Sequence, residues 1–314
     1  MNQSASASSH PRPPIIAIVG PTAVGKSQLS LELAQRFSGE IINADSMQLY
    51  RGMDIGTAKL PADQRRGIPH HLLDVWDLNH LANVAEYQRL ARECIDVVQA
   101  QGKLPILVGG SGLYVKAVID DLRFPGTAPE VRQRLEARLQ LEGSAALHAE
   151  LGRLDPLTAA RIPPANSRRV IRALEVIEIT GSPYSASLPT DRPFLSASIV
   201  ALDDDRQVLY DRIETRVARM WEAGLVDEVR QLRDEHGLAS APTASRALGY
   251  AQVLDLLAGR CDEVAAKQAT VIATRRFSRR QRSWFAKHAR TTPFNASDPR
   301  LGDEVARHVG SVVQ

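Results

Sequence analysis

Residues 20–27 read Gly-Pro-Thr-Ala-Val-Gly-Lys-Ser and follow directly on the apolar run Ile15-Ile16-Ala17-Ile18-Val19. Leu29, Leu33 and Phe37 then recur at four-residue spacing. Strand, glycine-rich loop and amphipathic helix in that order make a cradle for phosphate. The glycines let successive backbone N–H groups turn inward, Lys26 adds a cation, Ser27 offers a hydroxyl to Mg²⁺, and the following helix presents its positive end. Four fixed positions of this kind coincide by chance in about one chain in a hundred of this length. An ordinary Gly-rich turn between strand and helix is therefore the weaker reading.

The same alternation continues. Ile41-Ile42-Asn43-Ala44 reads as a second strand ending at Asp45, and Leu72-Leu73-Asp74-Val75 as a third after the turn-like Ile68-Pro69-His70-His71. Residues 84–101 carry apolar side chains at helical spacing up to Gly102, and Ile106-Leu107-Val108 then begins a strand that runs into Gly109-Gly110-Ser111-Gly112. Strands alternating with helices predict a parallel sheet with ligands at the carboxyl ends of its strands. From Phe124-Pro125-Gly126 to about Pro193 only helical patterns occur, over Val131–Leu141, Ala145–Leu154 and Val170–Thr180. The expected organisation is thus a core of 14–122 and 195–314 interrupted by a helical insertion domain, 123–194. Ser198-Ile199-Val200-Ala201-Leu202 returns the chain to the sheet, and helices are expected to complete it.

Composition bounds the partners. The 314 residues are 44% hydrophobic and 24% charged with a formal charge of only +3, so a globular protein is expected whose acidic partners must be met by local basic patches. Cys94 and Cys261 are the only cysteines and sit in helix-like patterns, which excludes a metal site built on thiolates alone. Residues 1–13 are Ser- and Pro-rich without an apolar stretch and read as a disordered tail, not a signal peptide. With no run of eighteen apolar residues, a cytoplasmic protein off the membrane is expected, and nothing in the chain demands more than a monomer.

Asp45-Ser46-Met47-Gln48-Leu49-Tyr50 sets a carboxylate and an amide at a strand end beside the cradle, where an acceptor substrate would sit. Capping of the next helix by Asp45 or Ser46 explains the same residues equally well. Gly109-Gly110-Ser111-Gly112-Leu113-Tyr114 either lets backbone approach a ligand, with one hydroxyl to offer, or is a structural turn. Its strand ends in glycines and not in the acidic residue that motor ATPases place there, which favours group transfer over hydrolysis-driven work. The stretch Arg275 to Arg290 has seven Lys or Arg, no acid, and Phe277, Trp284 and Phe285 interleaved. Cations that track phosphates and aromatics that stack on bases point to nucleic acid. A solvated helix that packs Phe277, Gln281 and Trp284 inward is compatible with it. Arg168, Arg169 and Arg172 form a second basic cluster whose default reading is a charge-paired surface helix. Asp203-Asp204-Asp205 reads as a loop and helix start, and His70 and His71 as structural.

GPTAVGKS, DSMQLY, GTAK at 56–59, PHHLLD at 69–74, GGSGLY, SRRVIRALEV at 167–176, RALGY at 246–250 and ATRRFSRRQRSWF together resemble the bacterial tRNA dimethylallyltransferases, over about residues 14–290. The resemblance implies an α/β fold, a P-loop NTPase-like parallel sheet flanked by helices. It implies transfer of the five-carbon allyl group of dimethylallyl diphosphate to N6 of adenosine 37 in tRNAs that read codons beginning with U. On it, Asp45 is the general base, and Ser111 stands where the family usually has Thr assisting at the same site. Gly20, Pro21, Thr22, Ala23, Val24, Gly25, Lys26 and Ser27 hold the diphosphate with Arg246, and Ser27 ligates Mg²⁺. Asp45, Ser46, Met47, Gln48, Ser111, Arg132, Arg168, Arg169, Val170, Ile171, Arg172, Arg279 and Arg280 fall on the tRNA-contacting side, which implies the anticodon stem-loop as partner. Val24 replaces a usual small hydroxyl residue, and Ala251 stands where Lys or Arg is common. The competing readings are a prenyltransferase acting on free AMP or ADP, a P-loop small-molecule kinase, and a non-catalytic RNA-binding protein.

Overall fold

A computed structural model describes residues 14–122, 124–187 and 192–313; the expected tail, 1–13, lies outside the described residues. β1 (Ile15–Val19), α1 (Lys26–Arg36), β2 (Gly39–Asn43), β3 (His70–His71), α2 (Val84–Ala100), β4 (Leu104–Gly109) and α3 (Gly112–Ile119) come first. α4 (Pro129–Leu154), α5 (Pro156–Ala159) and α6 (Ser167–Thr180) follow. The chain closes with β5 (Ala197–Asp203), α7 (Arg206–Glu222), α8 (Leu225–His236), α9 (Tyr250–Leu257), α10 (Glu263–Phe285), β6 (Thr291–Asn295) and α11 (Leu301–Val313). Two compact units result, Asp120–Arg192 and the described residues before and after it.

In the larger unit the six strands are parallel in the order β3-β2-β4-β1-β5-β6. β1 lies inside the sheet and is buried on both faces, which is why it reads as an unbroken apolar run. Its alternate side chains divide between two cores: Ile15, Ala17 and Val19 face Tyr87, Tyr114 and Tyr250, while Ile16 and Ile18 face Leu29, Leu33 and Val309.

The sheet departs from the sequence reading at both edges. The third strand is His70–His71, paired with Ile41 and Ile42, and not Leu72–Val75. Leu72 and Asp74 have φ of 61° and 57°, so the chain leaves the sheet at once. His71 pairs with the buried Glu40 of β2, which also pairs with Lys103, and the His71 bond ties the polar edge strand to its neighbour. Where the sequence pattern predicts only helices after β5, Thr291–Asn295 forms a sixth strand. Pro293 masks it, but an edge strand tolerates a missing N–H because only one side is paired.

The smaller unit is helical in all its described elements. α4 breaks at Gly143, whose φ of 81° ends one helix and starts the next. Val170 and Ile171 join Leu135, Leu147, Leu151 and Leu174 in its core. Glu175 is fully buried there and accepts from Ala128 N–H (3.1 Å), Arg132 (2.6 Å) and Arg172 (2.8 Å). Burial by itself raises its pKa, but the hydrogen bonds from Arg172 and Arg132 carry it below the ordinary value. Among the described residues no helix is long and apolar enough to cross a membrane.

Candidate active site

The loop between β1 and α1 turns at Gly20, with φ 143°, and at Gly25, with φ 100°, and the first turn of α1 carries neither a side-chain cap nor an acidic residue. Its N–H groups are therefore left for an anion. A Cβ at Gly20 would overlap the carbonyl oxygen of Leu202 on the neighbouring β5. Since both clash and φ are backbone constraints, Gly20→Ala is expected to lower stability by at least about 2 kcal/mol and to disorder the cradle. A urea titration that places the variant within ~0.5 kcal/mol of the parent would contradict this.

Lys26 is half-buried and donates from Nζ to the carbonyls of Gly20 (3.0 Å) and Pro21 (2.7 Å). Its pKa is lowered to about 7, first by burial and then by the neighbouring Arg216, with Asp45 opposing. Arg216, on α7, is likewise lowered by burial. It donates to Thr22 Oγ1 (3.1 Å) and to the Thr57 carbonyl (3.3 Å). Two cations crowded together without an equal number of carboxylates form a site that gains from an incoming anion.

Asp45 follows the end of β2. Asn43 frames it, accepting from Asp45 N–H (2.9 Å) and donating to the Asp45 and Leu72 carbonyls, while its own carbonyl accepts from Tyr87. Asp45 Oδ1 accepts from Met47 N–H (3.0 Å) and shapes the turn over residues 46–49; no helix follows there for Asp45 or Ser46 to cap. This bond uses one oxygen only, and Oδ2 has no hydrogen-bond partner among the described residues. Ser111 opens α3 and its Oγ accepts from Ser46 N–H at 3.4 Å, which ties the loop after β4 to the loop after β2.

These groups line two chambers. The larger, about 820 Å³, holds the loop from Thr22 to Gln28 with Gln48, Thr57, Arg216 and Arg219. The smaller, about 290 Å³, is lined by Ser46, Met47, Arg246, Phe277 and Arg280 among others. Thr22, Asp45, Thr57, Arg216 and Met220 belong to both, so the chambers meet at Asp45. The smaller chamber is where the structure places Arg246; the guanidinium on the cradle is that of Arg216. The sequence assigns no role to Arg216, since one arginine in an amphipathic helix carries no pattern of its own, and none to Thr57, although Thr57 lies in the GTAK motif at 56–59.

The glycines of the Gly109 loop serve the protein itself. A Cβ at Gly109 would overlap Ala44 backbone, at Gly110 the Gln281 amide, and at Gly112 the Trp284 ring. Of the basic residues, Arg276, Arg279, Arg280 and Lys287 surround the exposed Trp284 in a shallow groove, whereas Arg275 pairs with Glu214 and Arg282 with Asp203. In the smaller unit Arg168 and Arg169 are exposed, but Arg132 and Arg172 are committed to Glu175, and the side chains of Val170 and Ile171 are withdrawn into the core. Ser27 lines the larger chamber, and its hydroxyl is an oxygen donor of the kind Mg²⁺ takes beside substrate phosphate and water.

A phosphate cradle joined through one free carboxylate oxygen to a second chamber that includes Phe277 defines a group-transfer protein of P-loop architecture. A profile of the IPP transferase family matches residues 48–288, and the chain belongs to that family. It is 59% identical over 291 residues to the tRNA dimethylallyltransferase of Thermobifida fusca, covering 90% of this chain and 91% of that one. It is 59% identical over 283 residues to that of Streptomyces coelicolor, covering 90% of each. A solved tRNA isopentenylpyrophosphate transferase from Bacillus halodurans superposes with a TM-score of 0.70 at 41% identity, covering 96% of each chain. A eukaryotic dimethylallyltransferase acting on tRNA gives a TM-score of 0.81 at 26% identity, covering 95% of this chain and 77% of that one.

Proposed function

We propose that this protein is a tRNA dimethylallyltransferase. It moves the dimethylallyl group of dimethylallyl diphosphate to N6 of adenosine 37 in tRNAs reading codons that begin with U. The observation that carries this reading is the meeting of the two chambers at Asp45, opposite Lys26 and Arg216. The diphosphate lies on the loop from Gly20 to Ser27 and the adenine enters through the smaller chamber, against Phe277.

The chemistry needs both ends. The adenine N6 lone pair is delocalised into the ring, so a carboxylate that takes its proton as the C–N bond forms contributes about 10²- to 10⁴-fold. Asp45 Oδ2 is the free acceptor for it. At the other end, Lys26, Arg216 and the N–H groups of α1 meet the negative charge that accumulates as the C–O bond to diphosphate breaks. Ser27 and the diphosphate oxygens would hold Mg²⁺, which when bound supplies further charge neutralisation of the leaving group.

An adenine stacked in the anticodon loop cannot reach a chamber of this kind without being extruded. Arg276, Arg279, Arg280, Lys287 and Trp284 are suited to hold the displaced loop, and Arg168 and Arg169 to meet phosphates elsewhere on the stem. The logarithm of stem-loop affinity should then fall linearly with the logarithm of salt concentration, and Arg279→Ala/Arg280→Ala should flatten the slope by ~1–2. A plot as steep in the variant as in the parent would remove these arginines from the interface. The tRNA substrate is in keeping with a cytoplasmic enzyme.

The direct test supplies dimethylallyl diphosphate and Mg²⁺ with either an adenosine-37 stem-loop or AMP, followed by mass spectrometry of the nucleosides. One C₅H₈ gained on the stem-loop alone supports the proposal. Gain on AMP alone makes the protein a free-nucleotide prenyltransferase, and gain on neither revives a kinase.

A further inference from the structure

One buried polar side chain at the site has no part in the chemistry above. Gln281, on α10, is 5% exposed. Its Oε1 accepts from Thr22 N–H at 2.8 Å and its Nε2 donates to the Gly110 carbonyl at 3.0 Å. A backbone N–H on one side and a carbonyl on the other permit a single orientation of the amide.

The two partners lie on adjacent strands just past the end of their pairing. β1 and β4 run in register as far as Val19 and Gly109, and the loops beyond them carry the cradle on one side and Ser111 on the other. Past that last pair no ladder hydrogen bond among the described residues holds the loops at a set spacing, and the Gln281 amide spans them. Gly110 is fitted to this bridge, since any Cβ there would overlap Gln281 Nε2. Thr22 is pinned a second time through its hydroxyl by Arg216. With its N–H taken by Gln281, Thr22 faces the site with its side chain and leaves the diphosphate to the N–H groups that follow.

We propose that Gln281 is a positioning residue for the transfer: it sets the spacing between the loop that holds the leaving group and the loop that aligns the acceptor. The inference rests on the transferase reading. Displacement at the allylic carbon requires the attacking nitrogen and the leaving oxygen in line on opposite sides of it. A misplacement of about 1 Å in such an arrangement costs about 10²-fold in rate.

Gln281→Met keeps the volume and removes both hydrogen bonds. Its single-turnover rate at saturating donor and stem-loop should fall about 10- to 100-fold, with affinities for the stem-loop and for inorganic diphosphate within about threefold of the parent. Gln281→Glu supplies a second readout. Its ionised carboxylate repels the Gly110 carbonyl, whereas the protonated acid accepts from Thr22 and donates to Gly110 as the amide does. Its rate relative to the parent at the same pH should therefore rise as pH is lowered. The nearby charged groups are Lys26 and Asp45, which line the larger chamber with Gln281, Arg216 beyond Thr22, and Arg280 and Arg282 on the same helix; all are common to both proteins, and the ratio of rates at each pH removes their own titration. A well-folded Gln281→Met with a rate within twofold of the parent overturns the proposal, as does a rate loss fully matched by lost diphosphate affinity. Should Gln281→Met fail to fold, a Gln281→Glu ratio that does not rise on acidification overturns it. A parent protein that transfers nothing sinks the transferase reading instead.

Discussion

Asp45→Asn should bind the anticodon stem-loop as the parent does and lose about 10²- to 10⁴-fold in single-turnover transfer. Asparagine is the informative replacement because Asp45 does two things. Its Oδ1 accepts from Met47 N–H and shapes the loop after β2, and the amide oxygen of Asn can do the same. Only the second oxygen is changed, from a proton acceptor to a donor. Alanine would remove both functions and confuse a deformed loop with a missing base. Rapid-quench transfer with saturating donor isolates the chemical step. A rate within threefold of the parent would leave Asp45 as a turn-shaping residue and send the search for the base elsewhere.

Lys26→Met is expected to cost about 10²- to 10³-fold in turnover, the scale for losing one charged donor aimed at a developing negative charge. Its pH behaviour separates it from a structural lysine. Burial, and then Arg216, lower the Lys26 pKa to about 7 in the free protein, against Asp45. Between pH 7 and about 10.5 the unfolded chain binds more protons at this lysine than the native protein does. Lys26 therefore opposes folding fully below pH 7, and this opposition is relieved as pH rises through that window. An incoming diphosphate reverses the balance, because an anion beside Nζ restores its charge. At pH 8 the parent should take up more protons on binding inorganic diphosphate than Lys26→Met does. Calorimetry in buffers of differing ionisation enthalpy measures that difference, and equal uptake in both proteins would contradict the assignment.

The sheet's interior was legible because β1, β2, β4 and β5 each contain a short apolar run punctuated by glycines and an aspartate, signals that survive without knowledge of their partners. Its edges were not. His70–His71 and Thr291–Asn295 are strands by virtue of a neighbour's free N–H and C=O groups, which local propensity does not contain. The helices of the smaller unit were readable from periodicity, but which of its arginines are free was not. Arg132 and Arg172 look like Arg168 and Arg169 in sequence until a fully buried Glu175 claims the first two.

By itself the sequence determined the cradle, since GPTAVGKS between a strand and a helix encodes its function in consecutive residues whose backbone N–H groups do the binding. It likewise marked Asp45, one strand away. Tertiary structure alone decided what faces the cradle. Arg216 arrives from α7 and Gln281 from α10, more than 190 residues further along the chain than Thr22. Binding by local backbone can be read from a short motif, whereas a site assembled from side chains of distant helices exists only after those helices have packed.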